Sequence, residues 1–123
     1  MTTTLTLATL PPSANVIWRQ GKRGTYRNPK YVAWLNTEGL LLKSQLRGQT
    51  KFDVPVRVEM YLRRPRSNAD LDNRLKPISD LLQSVGAVSN DKLIHHWDFG
   101  WTHDYVLPKG TAARIYINGV VCC

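Results

Sequence analysis

The clearest pattern in the chain is the alternation in DVPVRVEMYLRR (53–64). Val54, Val56, Val58, Met60 and Leu62 fall on one face of an extended segment, with Arg57, Glu59, Tyr61 and Arg63 on the other. Successive side chains in a strand point to opposite faces, so this predicts a half-buried strand. LTLATL (5–10) reads as a first strand stopped by Pro11-Pro12, and PPSANVIWRQGKRGTYRNPK (11–30) as a basic loop punctuated by Gly21, Gly24 and Pro29. From Pro29 to Leu46, Tyr31, Trp34, Leu35, Leu41, Leu42 and Leu46 recur near helical spacing; Gly39 weakens that helix and Gly48 stops it. A second helix is predicted from Asn73 to Val85, ending near Gly86. KLIHHWDFGW (92–101) and AARIYING (112–119) supply two further strands, with HDYVLPKG (103–110) between them. The order predicts an α+β domain, a small mixed sheet with two helices packed on it.

In the second helix, Leu71, Leu75, Ile78, Leu82 and Val85 cluster on one stripe, while Asp72, Lys76 and Asp80 lie four residues apart on the next. Pro77 is tolerated only in or near a first turn, which starts regular helix around Asn73. Asp70 and Asp72 then sit at the strand-to-helix junction. In an extended segment residues i and i+2 point the same way, so both carboxylates can face one cation while Leu71 turns inward.

The length of 123 residues fits one domain spanning 1–123, and 42% hydrophobic residues suffice for a core. With 17 Lys and Arg against 9 Asp and Glu, the net charge is +8 and the pI about 9.9, the range of chains that bind polyanions. Residues 1–66 hold 12 of the basic residues and 3 acids; the rest hold 5 and 6. The cysteines, Cys122 and Cys123, are adjacent and have no metal-ligand spacing around them, so they read as exposed thiols in a reducing cytosol. The start lacks a signal-peptide pattern and no apolar run is long enough to span a membrane.

The charge distribution sharpens the question of the acids. Asp70 and Asp72 read equally as helix caps, and Asp72, Lys76 and Asp80 as surface ion pairs. Three features favour chemistry instead: Arg63, Arg64 and Arg66 stand directly upstream, Asp91 follows the helix and can return its carboxylate towards Asp70 and Asp72, and the chain as a whole suits a polyanion. Carboxylates without Cys or His describe a hard-cation site, Mg²⁺ or Mn²⁺ rather than zinc. Such an ion suits phosphodiester hydrolysis, and Lys76 can stabilise charge building on the phosphorane oxygens. Arg19, Lys22, Arg23, Arg27 and Lys30, interleaved with Gly21, Gly24 and Tyr26, read as a flexible arm gripping phosphates, with Trp18 a candidate nucleic-acid contact.

DLDNRLKPISDLLQSVGAVSNDKLI (70–94) resembles the signature of the RusA-type Holliday junction resolvases, D-L-D-N-x-x-K-x-x-x-D-x-L-x-x-x-G followed by an acid pair and an aliphatic residue. The matching positions are Asp70, Leu71, Asp72, Asn73, Lys76, Asp80, Leu82, Gly86, Asp91 and Ile94. LPPSANVIWR (10–19) is similar to the family's Pro-Pro-Ser-x-Asn segment. The resemblance implies a Mg²⁺-dependent homodimer, taken here as intertwined, that nicks four-way DNA junctions symmetrically in recombination and repair. It makes Asp70, Asp72 and Asp91 metal-binding catalytic acids and Lys76 the catalytic lysine. Asn73 joins Arg19, Lys22, Arg23, Arg27, Lys30, Arg63, Arg64 and Arg66 as DNA contacts. It implies a bacterial cytoplasm, with host or phage origin open, and no small-molecule cofactor. One departure is Asn90-Asp91 in place of the acid pair, which leaves Asp91 as the expected ligand.

His95 and His96 are expected on opposite faces of a strand as structural or surface residues. Trp97, Phe99 and Trp101 share one face, expected to be a core or dimer-interface stripe. The rival functions are a non-catalytic branched-DNA-binding protein of the same fold and a phage structural protein.

Overall fold

Strand β4 (Val56–Arg63) is flanked on both sides, by β6 (Ala113–Gly119) antiparallel and by β5 (Ile94–Thr102) parallel; β1 (Thr2–Leu7) pairs antiparallel with β6 to complete the order β1-β6-β4-β5. The computed structural model describes residues 2–47, 52–63, 72–102 and 107–119. A parallel pair needs a crossover, and helix α2 (Leu75–Ser84) supplies it between β4 and β5. Helix α1 (Pro29–Gln45) joins α2 on the sheet. The expected α+β class, with a mixed sheet and two helices, is observed.

The alternation read in β4 is borne out: Val56, Val58, Met60 and Leu62 are fully buried with Leu5, Leu7, Ala113, Ile115 and Ile117 from its neighbours. Leu42 of α1 and Ile78, Leu81 and Leu82 of α2 close over them. Burial of each large side chain contributes about 1.5–3 kcal/mol, so this face holds the fold together. Val54, expected on that face, is instead 50% exposed, because the strand begins only after Pro55, which has no N–H for the ladder. In β5, the register of Trp97 with Val58, Phe99 with Met60 and Trp101 with Leu62 puts the three aromatics on the core face, half-buried at the sheet edge. The opposite face is polar, with Arg57 paired to Asp98 at 2.9 Å and Tyr61 edge-on to Tyr116.

Several expected boundaries move. The first strand ends at Leu7, not Leu10, because the next backbone donors turn to α1: Ala8 and Thr9 N–H donate to the Glu38 carboxylate at 3.3 and 2.7 Å, and the Thr9 hydroxyl at 2.6 Å. Gln45 covers the free edge of β1, its amide oxygen accepting from Thr6 N–H at 2.8 Å and its Nε2 donating to Thr6 O at 2.9 Å. α1 itself matches its expected span, with Asn28 as N-cap accepting from Lys30 N–H. The stop expected at Gly48 lies outside the described residues, as do Cys122 and Cys123.

The region expected to be a loop, 11–30, contains a 3-10 turn (Ala14–Val16) and an antiparallel hairpin of β2 (Trp18–Gly21) and β3 (Gly24–Arg27). Every residue of both strands is exposed, so no buried face imposes the apolar alternation by which strands are read. Gly24, at φ 112°, takes a conformation that side chains resist, and closes the turn at Lys22-Arg23. α2 begins two residues later than expected: a 3-10 turn, Asp72–Arg74, precedes it, so Pro77 is the third helical residue. β5 starts at Ile94 after a 3-10 turn, Asp91–Leu93. A register shift leaves His95 without a partner across β4, and both His95 and His96 are exposed. Among the described residues no helix is long and apolar enough to cross a membrane.

Glu38 is fully buried and accepts three hydrogen bonds. Glu38→Ala leaves two backbone donors without a partner and is expected to lower the unfolding free energy in urea by about 3 kcal/mol, with Glu38→Gln losing about half of that. An alanine variant within about 0.5 kcal/mol of the parent contradicts this role.

Candidate active site

Lys76 lies in the first turn of α2, and its reach along the helix places the ammonium 3.1 Å from Asp80 Oδ1, one turn on. The other oxygen of Asp80 accepts from the Tyr31 hydroxyl at 2.6 Å. Tyr31 belongs to the first turn of α1, so this bond joins the two helices at the site. Its phenol is buried, and burial followed by the bond to Asp80 raises its pKa above the ordinary 10.0, keeping the hydroxyl protonated as a donor. Neither Asp80 oxygen is left without a partner.

Asp91 opens the 3-10 turn before β5. Its backbone N–H donates to Gln83 Oε1 at 3.1 Å, which ties this turn to α2, and its Oδ2 stands 3.9 Å from Lys76 Nζ. Asp91 is thereby brought beside the second helix, while the expected approach of its carboxylate to Asp70 and Asp72 lies outside the described residues. The contact with Lys76 is long and the Lys76 side chain is 59% exposed, so Asp91 holds the ammonium only weakly. Asn90 is the N-cap of the same turn, its Oδ1 accepting from Lys92 N–H at 2.9 Å. Asp and Asn perform that task equally well, which gives the departure at position 90 a structural account.

Lys76, Asp80, Gln83, Asn90 and Asp91 line an open cleft of about 500 Å³, walled also by Arg27, Leu35, Ser84 and Lys92. Arg27 comes from the hairpin: its guanidinium lies 5.7 Å from the centroid of Tyr31 and 5.7 Å from that of Trp18. The cleft thus brings two carboxylates together with three cationic side chains, one of them carried by an element that reads as loop in the sequence.

The turn carrying Asp72 is held from the N-terminal side. Arg74 Nη1 donates to the carbonyl of Pro11, and Ser13 caps the following 3-10 turn by accepting from Asn15 N–H at 3.2 Å. The Pro-Pro-Ser segment is thereby fastened against residues 72–74. Arg74, not an acid, is the N-cap residue of α2, and its side chain makes no capping hydrogen bond. Asp70, Arg64 and Arg66 lie outside the described residues, and of Asp72 only the backbone is described. Among the described residues no group of three or more His, Cys, Asp or Glu is placed to hold a metal ion.

Of the expected DNA contacts, Arg19, Lys22, Arg23 and Arg27 are exposed on the hairpin and Lys30 is exposed at the start of α1. Asn73 is half-buried in the turn before α2. Arg63 turns its guanidinium to the carbonyls of Leu107, Pro108 and Thr111, the last at 2.9 Å, and so fastens the segment before β6. Tyr31 and Gln83 were not singled out by sequence reasoning. Tyr31 carried only the signal of an apolar position in α1, and its partner is 49 residues away.

A model of the family described as Endodeoxyribonuclease RusA matches residues 9–117. The crossover junction endodeoxyribonuclease RusA of Aquifex aeolicus (strain VF5) is 30% identical over 92 residues, which covers 73% of this chain and 72% of that protein.

Because the folded chain binds the Tyr31 proton more tightly than the unfolded chain, stability is fully present below the unfolded-state value and falls as pH rises above 10.0. Tyr31→Phe is expected to remove about 2 kcal/mol at neutral pH and to flatten the alkaline fall. Urea unfolding at neutral and alkaline pH checks both, and an unchanged alkaline slope in the variant contradicts the assignment.

Proposed function

The chain belongs to the RusA family of endodeoxyribonucleases, and on that premise we propose that it resolves four-way DNA junctions by paired, symmetric, metal-dependent nicks. The observation that carries this reading is Lys76 facing Asp91 across an open cleft walled by Arg27 and Lys92. It acts as one domain over residues 1–123, as a homodimer, in the bacterial cytoplasm during recombination and repair.

The described donors in the cleft fit a hard cation. Asp91 offers oxygen only, is partly exposed, and is held by its backbone rather than by a strong partner for its carboxylate. Asp70 and Asp72 of the same motif would complete the ligand set. A bound Mg²⁺ or Mn²⁺ supplies neutralisation of the scissile phosphate and a lowered pKa for the attacking water. The chain's own residues do the remainder. Lys76, steadied by Asp80, offers its ammonium to the phosphate oxygens as negative charge builds there. Tyr31 fixes Asp80 and so restricts where Lys76 can point. Arg27 and Lys92 on the cleft wall, with Arg19, Lys22, Arg23 and Lys30 nearby in sequence, attract the phosphates along the strand. Arg64, Arg66 and Asn73 complete the proposed DNA-contact set.

A synthetic four-way junction labelled on each strand, incubated with Mg²⁺ or with EDTA, tests this. Paired symmetric nicks are expected only with the metal. Asp91→Asn and Lys76→Ala are each expected to slow single-turnover cutting by at least about a hundredfold while retaining junction binding. Tight binding with no cutting in Mg²⁺ or Mn²⁺ identifies instead a non-catalytic binder of branched DNA. No preference for the junction over linear duplex contradicts both.

A further inference from the structure

Trp18 stands on a hairpin that buries none of its residues. The cross-strand register pairs Trp18 with Arg27, Arg19 with Tyr26, Gln20 with Thr25 and Gly21 with Gly24. Directly paired residues share a face, so Trp18 and Arg27 occupy one side of the ribbon while Arg19 and Tyr26 occupy the other. On the second side the Tyr26 ring lies over Gly21, so close that a Cβ there would stand 2.9 Å from its Cε1. Tyr26 is thereby laid against its own hairpin. Trp18 is 57% exposed and has the Arg27 guanidinium over its ring.

Ten residues, 18–27, carry Arg19, Lys22, Arg23 and Arg27 and no acid. An apolar surface as large as an indole, left in water within a wholly cationic ribbon, suits a partner that is both anionic and aromatic. Nucleic acid answers that description, because every base offers a π-face beside a phosphate. The ribbon is also connected to the cutting centre. Arg27 lies between the Trp18 and Tyr31 rings, Tyr31 donates to Asp80, and Asp80 pairs with Lys76.

We propose that Trp18 is a base-stacking residue that selects branched over linear DNA. A base unstacked at the branch point stacks on the exposed indole, extending the Trp18–Arg27–Tyr31 series, while Lys22 and Arg23 at the hairpin tip hold flanking phosphates. In an intact duplex the bases are occupied with their neighbours, so Trp18 gains nothing there and only the phosphate contacts act. This inference rests on the branched-DNA reading above and adds to it the residue that discriminates the branch.

The test places 2-aminopurine at the branch point of a four-way junction and, separately, within a linear duplex. Wild type, Trp18→Ala and Trp18→Phe are compared for fluorescence quenching, for affinity to each DNA, and for Mg²⁺-dependent cutting. Expected are branch-point quenching by wild type that is lost in Trp18→Ala and largely kept in Trp18→Phe, and a junction preference that falls about tenfold in the alanine variant while duplex affinity and its salt dependence hold. Circular dichroism verifies that the variants fold. If wild type cuts junctions and Trp18→Ala keeps both its quenching and its preference, the inference fails while the nuclease reading stands. If Trp18→Ala instead turns a dimer into monomers by sedimentation, Trp18 belongs to a contact between copies and the inference is overturned. If wild type neither prefers nor cuts the junction, both fall together.

Discussion

Asp80 is held from two sides, by the Tyr31 hydroxyl at 2.6 Å and the Lys76 ammonium at 3.1 Å, and the candidate site depends on that arrangement. A carboxylate removed from water is costly unless its oxygens find donors, and each oxygen here finds one. The two donors come from different helices. The cost of sheltering the charge is thus offset only when α1, α2 and the lysine are all in place, which couples the packing of the helices to the position of the ammonium. Arg27, over the face of the Tyr31 ring, extends the same coupling to the hairpin.

The sheet explains why these residues meet. Two parallel strands, β4 and β5, require α2 to cross between them, and the core stripe of α2 fixes its rotation through Ile78, Leu81 and Leu82. With that stripe facing the sheet, Lys76, Asp80 and Gln83 turn towards the cleft, and Gln83 catches the backbone of Asp91 as the chain enters β5. The groups of the candidate site are thus carried by elements anchored in a close-packed core. Glu38 and Gln45 do similar work at the far edge, fastening β1 and the segment after it to α1.

Legibility from sequence followed the range of the interactions. The alternation of β4 and the span of α1 were readable because burial against one face imposes a local period, and the acid–lysine motif because its members lie close together in the chain. The hairpin was not readable: both its faces meet solvent, so it has no apolar period. Asp80 looked like half of a surface ion pair, since nothing local points to Tyr31. Asn90 looked like the loss of a charge, and the structure shows an N-cap, a task in which the amide and the carboxylate are interchangeable. Arg63 looked like part of an arginine cluster for DNA, yet its guanidinium faces three carbonyls from 107–111, positions whose approach no local pattern announces.

In the proposed reaction the two acids of the cleft do different work, Asp80 steadying Lys76 and Asp91 binding the metal ion. Titration of the full chain with Mn²⁺, followed by electron paramagnetic resonance, separates these roles without reference to cutting. Asp91→Asn is expected to weaken Mn²⁺ binding by at least about tenfold, while Asp80→Asn binds the ion as the wild type does. Mn²⁺ binding that is indifferent to Asp91, or that depends on Asp80 as strongly, would contradict this division of work.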